Sequence, residues 1–363
     1  MPLNADATVS CMSTTPPPER ALRLSLVVIA RDEAPRIARL LTSVKPWVDE
    51  MLVLDTGSVD NTAAVAQRCG ARVAHFTWCD DFAAARNAAL DAAAADWHLV
   101  LDADEWLTEG GAALGALRHT APTFVGALRL DDHGAAAGLV QHWLSRVLPG
   151  GVRYRGRVHE QPAHSLPVQR LPLVVGHDGY APERLAAKRG RNRALLLGEL
   201  AQAPGDAYCW YQLGKDHAVY DEHLEAVAAF VHAETLRDAT SPWRFDLATR
   251  MLFALKKTGR HAEARAFAEQ RLQDCADSPD FFFALGDLLL DHAAAEPAQA
   301  GELLPLAEAA WQRCLEIGER PDLSGSVRGR GSVLAAHNLA VIHEGLGEHE
   351  AAAELRRRWP MPG

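Results

Sequence analysis

Cysteine is sparse in this chain. There are six in 363 residues, at Cys11, Cys69, Cys79, Cys209, Cys275 and Cys314, and no two are close enough to form C-x-x-C. That excludes a Cys-rich zinc module and a dense disulfide framework, and it fits a reducing compartment. Long apolar runs are missing too, since none reaches the roughly 18 residues that a membrane-spanning helix needs. Positive charge is in deficit: Lys plus Arg is 37 against 47 for Asp plus Glu, a net charge of −10. Such a balance argues against a polyanion-binding surface, so no nucleic-acid partner is expected. There is no G-x-G-x-x-G, G-x-x-x-x-G-K-[ST] or G-x-S-x-G, which weakens dehydrogenase, P-loop and serine-hydrolase readings. The start of the chain, ending in TTPPPER, has neither a basic opening nor an apolar core. Residues 1–21 therefore read as a disordered lead-in rather than a signal peptide, and a cytoplasmic protein is the expectation.

What is present is 48% apolar sequence, enough to bury a substantial core. From Leu24 to about Leu130, short β-branched runs alternate with Ala-rich helical stretches. LSLVVIA (Leu24–Ala30), MLVLD (Met51–Asp55), ARVAHF and WHLVLDAD read as strands. EAPRIARLLTSV, GSVDNTAAVAQRCG and DFAAARNAALDAAAA read as the helices between them. This alternation predicts a mostly parallel sheet with covering helices, an α/β domain over about residues 22–181. TFVGALRL, HWLSRVL and LPLVVGH read as further extended segments.

From Pro182 onward the pattern is almost wholly helical, and it repeats. Trp210, Leu213 and Gly214 are followed by Ala226, Phe230 and Ala233, the spacing of a tetratricopeptide unit. Weaker copies run through Leu255, Gly259, His261, Ala264 and Ala268, then through Phe282, Leu285, Gly286, Ala307, Trp311 and Cys314. A last copy comprises Leu339, Ala340, His343, Gly347, His349 and Ala352. Helix pairs of this kind bury their apolar faces by stacking, so residues 182–363 are expected to form a helical repeat domain.

Ligands of parallel sheets bind beyond the carboxyl ends of the strands. Carboxylates stand at all four places which that rule selects. LVLDADEW ends a buried strand with Asp102 and Asp104, an oxygen-only pair suited to Mg²⁺ or Mn²⁺ together with phosphate oxygens. The competing structural reading makes Asp104 the cap of a helix over WLTEGGAALGAL. In LDTGSVDNT, Asp55 is placed to accept hydrogen bonds from a ribose or base, or simply to hold a strand–turn–helix. Asp32 and Glu33 after the first strand share that ambiguity. WCDDFAAARNAAL puts Arg86 within reach of a phosphate or of a neighbouring carboxylate. RGRVHEQPAH offers Glu160 as a general base beside His159; Pro162 and the His spacing exclude a zincin helix. GHDGY (Gly176–Tyr180) offers His177 as a metal ligand.

Taken together, VVIARDEAPRIARLL, VDEMLVLDTGSVDNT, FTWCDDFAAARNAAL and WHLVLDADEWL resemble the family 2 glycosyltransferases in order and spacing. RVHE, HDGY and KRGRN resemble the branch in which the catalytic domain precedes tetratricopeptide repeats. The resemblance implies a GT-A fold, a nucleotide-sugar donor (a UDP-sugar first among them), a Mn²⁺ or Mg²⁺ cofactor and inverting transfer. It places Ala30, Glu33 and Asp55 around the nucleoside, and makes Asp102 and Asp104 the D-x-D pair with Asp104 the main metal ligand. Arg86 and the metal would stabilise the leaving diphosphate; the resemblance does not fix the acceptor base, and Glu160 is expected in that role from its place beside His159. Val59 and Asp32 depart from the family's usual Thr and Asn, and neither removes a required group. The implied acceptor is a peptide, a protein or a cell-envelope glycan. The contrasting expectation is a non-catalytic repeat scaffold that binds a nucleotide or protein partner.

Overall fold

The computed structural model describes residues 21–133, 139–177 and 190–361. Residues 1–20 of the lead-in, the Asp178–Tyr180 end of GHDGY and the expected domain boundary at 181/182 thus lie outside the described residues. Strand β1 (Leu24–Ala30) pairs in parallel with β2 (Glu50–Asp55) and with β4 (Trp97–Val100), and β2 pairs in parallel with β3 (Arg72–His75). Side chains alternate across a strand, and β1 uses both faces. Leu26 and Val28 pack with Ile37, Leu40, Leu41 and Val44 of α1 (Ile37–Val44). Val27 joins Leu52, Leu54 and Val100 against Ala89 and Leu90 of α3 (Phe82–Ala93) on the other side. The remaining helix of this half, α2 (Thr62–Arg68), follows β2.

Beyond β4 the sheet is mixed. Its order is β3-β2-β1-β4-β7-β6-β10-β5, with β5 (Glu105–Glu109), β6 (Val125–Asp132), β7 (Val140–Pro149) and β10 (Val168–His177). β7 is antiparallel to β4 and β6, β10 runs parallel to β6, and β5 is antiparallel to β10. β8 (Arg153–Arg155) and β9 (Gln161–Ala163) form a separate two-stranded ribbon. One local expectation is overturned here. WLTE is strand β5, and the helix after it, α4 (Gly111–Ala116), begins only at Gly111. Trp106 and Leu107 pair with Gly176 and Val175 of β10, and that sheet edge overrides the helix propensity of the segment. Asp104 therefore caps no helix and lies in the turn that feeds β5.

The helical region opens with α5 (Arg191–Gln202). Four helix pairs follow: α6 (Ala207–Val219) with α7 (His223–Leu236), α8 (Arg244–Lys257) with α9 (His261–Arg271), α10 (Pro279–Ala295) with α11 (Ala300–Ile317), and α12 (Val333–Gly345) with α13 (His349–Arg358). The recurring small residues sit where partner helices meet. A Cβ on Gly214 would lie 2.3 Å from the Phe230 ring, and one on Gly286 would lie 2.6 Å from the Trp311 indole. Gly286→Ala is thus expected to destabilise by about 1–3 kcal/mol through overpacking; urea unfolding measures it, and an unchanged midpoint would refute the close approach. The helix-to-helix turns repeat as well: Gly259 and Gly347 adopt φ +69 and +82, and Asp221 takes the same left-handed place at φ 59. His217 Nδ1 lies 2.7 Å from Glu222, and His343 Nδ1 lies 2.5 Å from Glu348, one contact at the same offset in two units.

The repeats are joined to the sheet. A two-residue strand, β11 (Ser326–Val327), adds to β7 through Ser326–Gln141 and Val327–Val140. It is an extended segment in a region whose sequence pattern is otherwise helical. The Trp143 indole donates to the Pro321 carbonyl at 2.7 Å. Val158 and Phe82 pack with Leu196, Leu200, Cys209, Leu213 and Ala229, so one apolar cluster spans both regions.

Candidate active site

Ala30 and Asp55 are register partners at the ends of β1 and β2. The Ala30 carbonyl accepts from the Thr56 amide at 2.9 Å. Asp55 is buried and accepts from the Gly57 and Ser58 amides at 3.3 and 3.2 Å, with His75 Nδ1 3.5 Å away. Its carboxylate therefore shapes the turn that follows β2. Asp32, at φ 56, accepts from the Val59 and Asp60 amides, and the Glu33 amide donates to Thr62 Oγ1 at 2.7 Å. The loops after β1 and β2 are zipped together by these contacts into one rim. Glu33 itself pairs with Arg36 at 3.0 Å.

The end of β4 carries the densest charge. Arg86, from α3, donates Nη2 to Asp102 at 2.6 Å and Nε to Glu160. Both the Arg86 and Glu160 side chains are nearly buried, 6% and 8% exposed. Arg146 on β7 donates to Asp102 at 2.9 Å and lies 3.5 Å from Glu105. Burial alone would raise the pKa of Asp102, but Arg146 and Arg86 hold it well below the carboxylate range. The opposite holds for Glu105, which burial pushes up, with the Asp102 charge adding to the shift against Arg146. Its carboxylate accepts from the Asp102 amide at 2.8 Å, fixing the turn of the D-x-D segment. Asn87, one residue beyond Arg86, makes a two-way clasp with the Tyr154 backbone at 2.8 and 3.0 Å. Two buried donors are left without a hydrogen-bond partner in this cluster, Arg86 Nη1 and the Tyr154 hydroxyl. Arg86 Cζ lies 5.4 Å from the Tyr154 ring.

A second group flanks it. His177, at the end of β10, has Asp104 Oδ2 3.6 Å from its Nε2 and Asp132 Oδ1 3.4 Å from its Nδ1. Asp132 ends β6 and is the register partner of His177. Burial lowers the pKa of His177, but hydrogen bonds to Asp104 and Asp132 outweigh it and push the ring up to about 10. Among the described residues no group of three His, Cys, Asp or Glu side chains is arranged to hold a metal ion. Asp104 and His177 thus present two donors, one oxygen and one nitrogen, with Asp132 on the far side of the ring. Mg²⁺ and Mn²⁺ commonly take few protein ligands and fill the rest with phosphate oxygens and water. A carboxylate behind a ligating histidine is the usual outer-shell arrangement, because it fixes the tautomer.

Ala30 and Asp55 share one end of the sheet, Asp102, Arg86 and Glu160 form one cluster, and Asp104 and His177 form another. Arg146, Glu105 and Asp132 were not singled out from sequence. Arg146 lies in HWLSRVL, which reads as strand, and Glu105 and Asp132 stand just past such runs; no local spacing betrays a partner 44 residues away, as Arg146 and Asp102 are.

Residues 25–121 match the family model "Glycosyl transferase family 2". A TPR repeat-containing protein of Synechococcus elongatus is 39% identical over 208 residues, 53% of this chain and 51% of that one. The SPbeta prophage-derived glycosyltransferase SunS of Bacillus subtilis is 28% identical over 214 residues, 55% of this chain and 50% of that one. The chain spans about half the length of these curated relatives. Glucosyl-3-phosphoglycerate synthase from Mycobacterium tuberculosis, solved with Mn²⁺, UDP and glucosyl-3-phosphoglycerate, is 25% identical over 32% of this chain and 46% of that one, at a TM-score of 0.26. Residues 25–121 are thus similar to family 2 glycosyltransferases, within a sheet domain with covering helices that a region of paired helices follows.

Proposed function

We propose that the protein transfers a sugar from a nucleoside-diphosphate donor, a UDP-sugar first among them, to a peptide, protein or cell-envelope glycan, with inversion and with a divalent cation. The observation that carries this reading is the facing of Asp104 and His177 across 3.6 Å, with Asp132 against the other ring nitrogen. In this reading Asp104 and His177 hold Mn²⁺ or Mg²⁺, which supplies charge neutralisation to the departing diphosphate. Ala30, Glu33 and Asp55 line the nucleoside end, on the rim built by the two zipped loops.

Arg86 is read as the residue that couples donor to acceptor. Its Nη1 is the buried donor atom with no protein partner, and a diphosphate or sugar oxygen suits it. Glu160 is the proposed acceptor base, but its carboxylate is turned into Arg86. It acts as a base only when a diphosphate competes for the guanidinium and releases it. Asp102, held by Arg86 and Arg146, orients the D-x-D turn and faces the sugar end of the donor. Among the described residues no helix is long and apolar enough to cross a membrane, and the reading places the chemistry in the cytoplasm, where nucleotide sugars are available.

Incubation with a panel of UDP- and GDP-sugars and Mn²⁺, reading released nucleoside diphosphate, tests the proposal. Release that a chelator and Asp104→Ala both abolish is the expected result. Release indifferent to both would overturn the metal-dependent reading, and no release from any donor would favour the scaffold.

Metal loading carries its own pH signature. With its pKa raised to about 10, His177 is protonated near neutrality, so an incoming cation must displace a proton. Apparent Mn²⁺ affinity is expected to rise steadily from pH 6 to pH 8, with proton release on binding, as read by calorimetry in two buffers of different ionisation enthalpy. Affinity independent of pH over that window would remove His177 from the ligand set.

A further inference from the structure

The sheet edge beside the site is completed by the helical region. β6 occupies one edge of β7 along Val140–Val147, so the two other partners of β7 share the opposite edge. β4 covers Val147–Pro149 there, and β11 covers Val140 and Gln141. The strand that leads into D-x-D and the strand lent by the repeats thus lie in line along β7, with the stretch that carries Arg146 between them. β11 is held from both sides. Toward the sheet, the Gly325 and Arg328 amides donate to the Gln141 and Leu139 carbonyls at 2.8 and 2.9 Å. Toward the helices, the Val327 amide donates to Asp280 Oδ1 at 3.0 Å, and Arg330 donates to the same oxygen at 3.0 Å.

Register carries this contact to the Asp104–His177 pair. Val327 is the partner of Val140, Val140 of Asp132, and Asp132 of His177. One row of register partners therefore runs from the repeats to the histidine that faces Asp104, in strand-to-strand steps of about 4.8 Å each. Asp132 is the last residue of β6 and Val140 the first of β7. Strand ends fray unless something ties them, and β11 is the tie on the Val140 side. Asp280 is buried and stands in the first turn of α10, where an acidic residue ordinarily serves the helix dipole. Here one of its oxygens is taken by two donors from the segment between α11 and α12. Its removal would strip the Val327 amide and the Arg330 guanidinium of that acceptor at a buried strand.

We propose that Asp280, on a repeat helix, is a positioning residue for the metal site. It holds β11, β11 holds the end of the β6–β7 pair, and that end presents Asp132 to the His177 ring. The inference rests on the reading in which Asp104 and His177 take a divalent cation. A carboxylate behind a ligating histidine fixes its ring, so whatever fixes that carboxylate tunes the affinity for the metal. The helical region is then a working part of the donor site rather than a separate module.

The test titrates Mn²⁺ into the full chain in the presence of saturating UDP. Its dissociation constant is read by calorimetry for wild type, Asp280→Ala, Asp280→Asn and Gly286→Ala. Asp280→Ala should weaken Mn²⁺ binding about tenfold, within the range of couplings carried through packed elements. Asp280→Asn keeps an oxygen for the Val327 amide and should stay within about threefold of wild type. Gly286→Ala strains α10 against Trp311 and should bind Mn²⁺ as wild type does, which separates positioning from general destabilisation. Unchanged affinity in Asp280→Ala, or an equal loss in Gly286→Ala, overturns the proposal. If Asp280→Ala does not fold, Val327→Pro removes the N–H that donates to Asp280 and should show the same loss; unchanged affinity there overturns the proposal equally. Wild type that binds no Mn²⁺ beside UDP would overturn the metal reading itself, and so is distinguishable from a failure confined to Asp280.

Discussion

Asp104→Ala and His177→Ala are each expected to lower metal-dependent turnover by at least about 10³-fold, since a catalytic metal supplies several kcal/mol and each 1.36 kcal/mol is tenfold in rate. Asp132→Asn should lose less, about 10- to 100-fold, because it removes the group behind the ligand and not the ligand. The ordering separates this arrangement from a merely structural cluster. Asp132 and His177 are register partners on adjacent strands, so a structural role predicts that Asp132→Asn and His177→Ala lose stability together and leave the metal dependence intact. Steady-state turnover at several Mn²⁺ concentrations makes the distinction. In Asp132→Asn, excess Mn²⁺ should recover most of the rate, whereas Asp104→Ala should not recover at any concentration. Recovery of Asp104→Ala by excess metal would show that the ligand lies elsewhere.

The second large effect concerns folding. Arg86→Met is expected to destabilise the protein by about 3–5 kcal/mol, because it strands buried carboxylates without their cation. Glu160 is the more exacting of the two, since Asp102 keeps Arg146 at 2.9 Å and is partly open to solvent. The sign with pH follows from the same geometry. Arg86 and Arg146 hold the Asp102 pKa below its ordinary value in the folded state. The stability that this contributes is complete above the ordinary carboxylate value and is lost as pH falls through the lower, folded value. Urea unfolding at pH 7 and pH 4 should therefore show the gap between wild type and Arg86→Met shrinking in acid, as the stranded carboxylates take up protons. The double variant Arg86→Met/Glu160→Gln should regain part of the loss at pH 7. A gap that widens in acid, or a double variant less stable than the single one, would contradict the ion-pair account.

These two clusters show how unevenly the sequence speaks. The first four strands and three helices were legible because each is a local run with a period of its own. Leu26 and Val28 against Val27 on β1, and Ile37, Leu40, Leu41 and Val44 on α1, show those periods in the two cores. The repeats were legible for a related reason: Gly214 facing Phe230 and Gly286 facing Trp311 are the same packing need met twice. β5 was not legible, because what makes WLTE a strand is the edge offered by β10, about 70 residues later. Nor was β11, a two-residue strand whose reason for existing is the Val140–Gln141 end of β7.

The site divides along the same line. D-x-D, Asp55 and His177 stand out because strand ends are readable and ligands gather there. Their partners do not. Arg86 and Glu160 are 74 residues apart, and nothing within the RVHE segment announces that its carboxylate will turn inward onto an arginine. The sequence left a phosphate and a neighbouring carboxylate as equal alternatives for Arg86; the structure puts two carboxylates on it and leaves Nη1 over.

The account stands or falls on whether Asp104 and His177 hold a divalent cation beside a nucleoside diphosphate. Thermal unfolding with UDP or GDP, each with and without Mn²⁺, on wild type and Asp104→Ala, asks this most directly. A ligand at about 100 times its dissociation constant stabilises by roughly 2.7 kcal/mol, readily seen as a shift in midpoint. The account predicts a shift with one nucleotide that needs Mn²⁺ and disappears in Asp104→Ala. A shift of equal size without metal, or one that survives in Asp104→Ala, would contradict it.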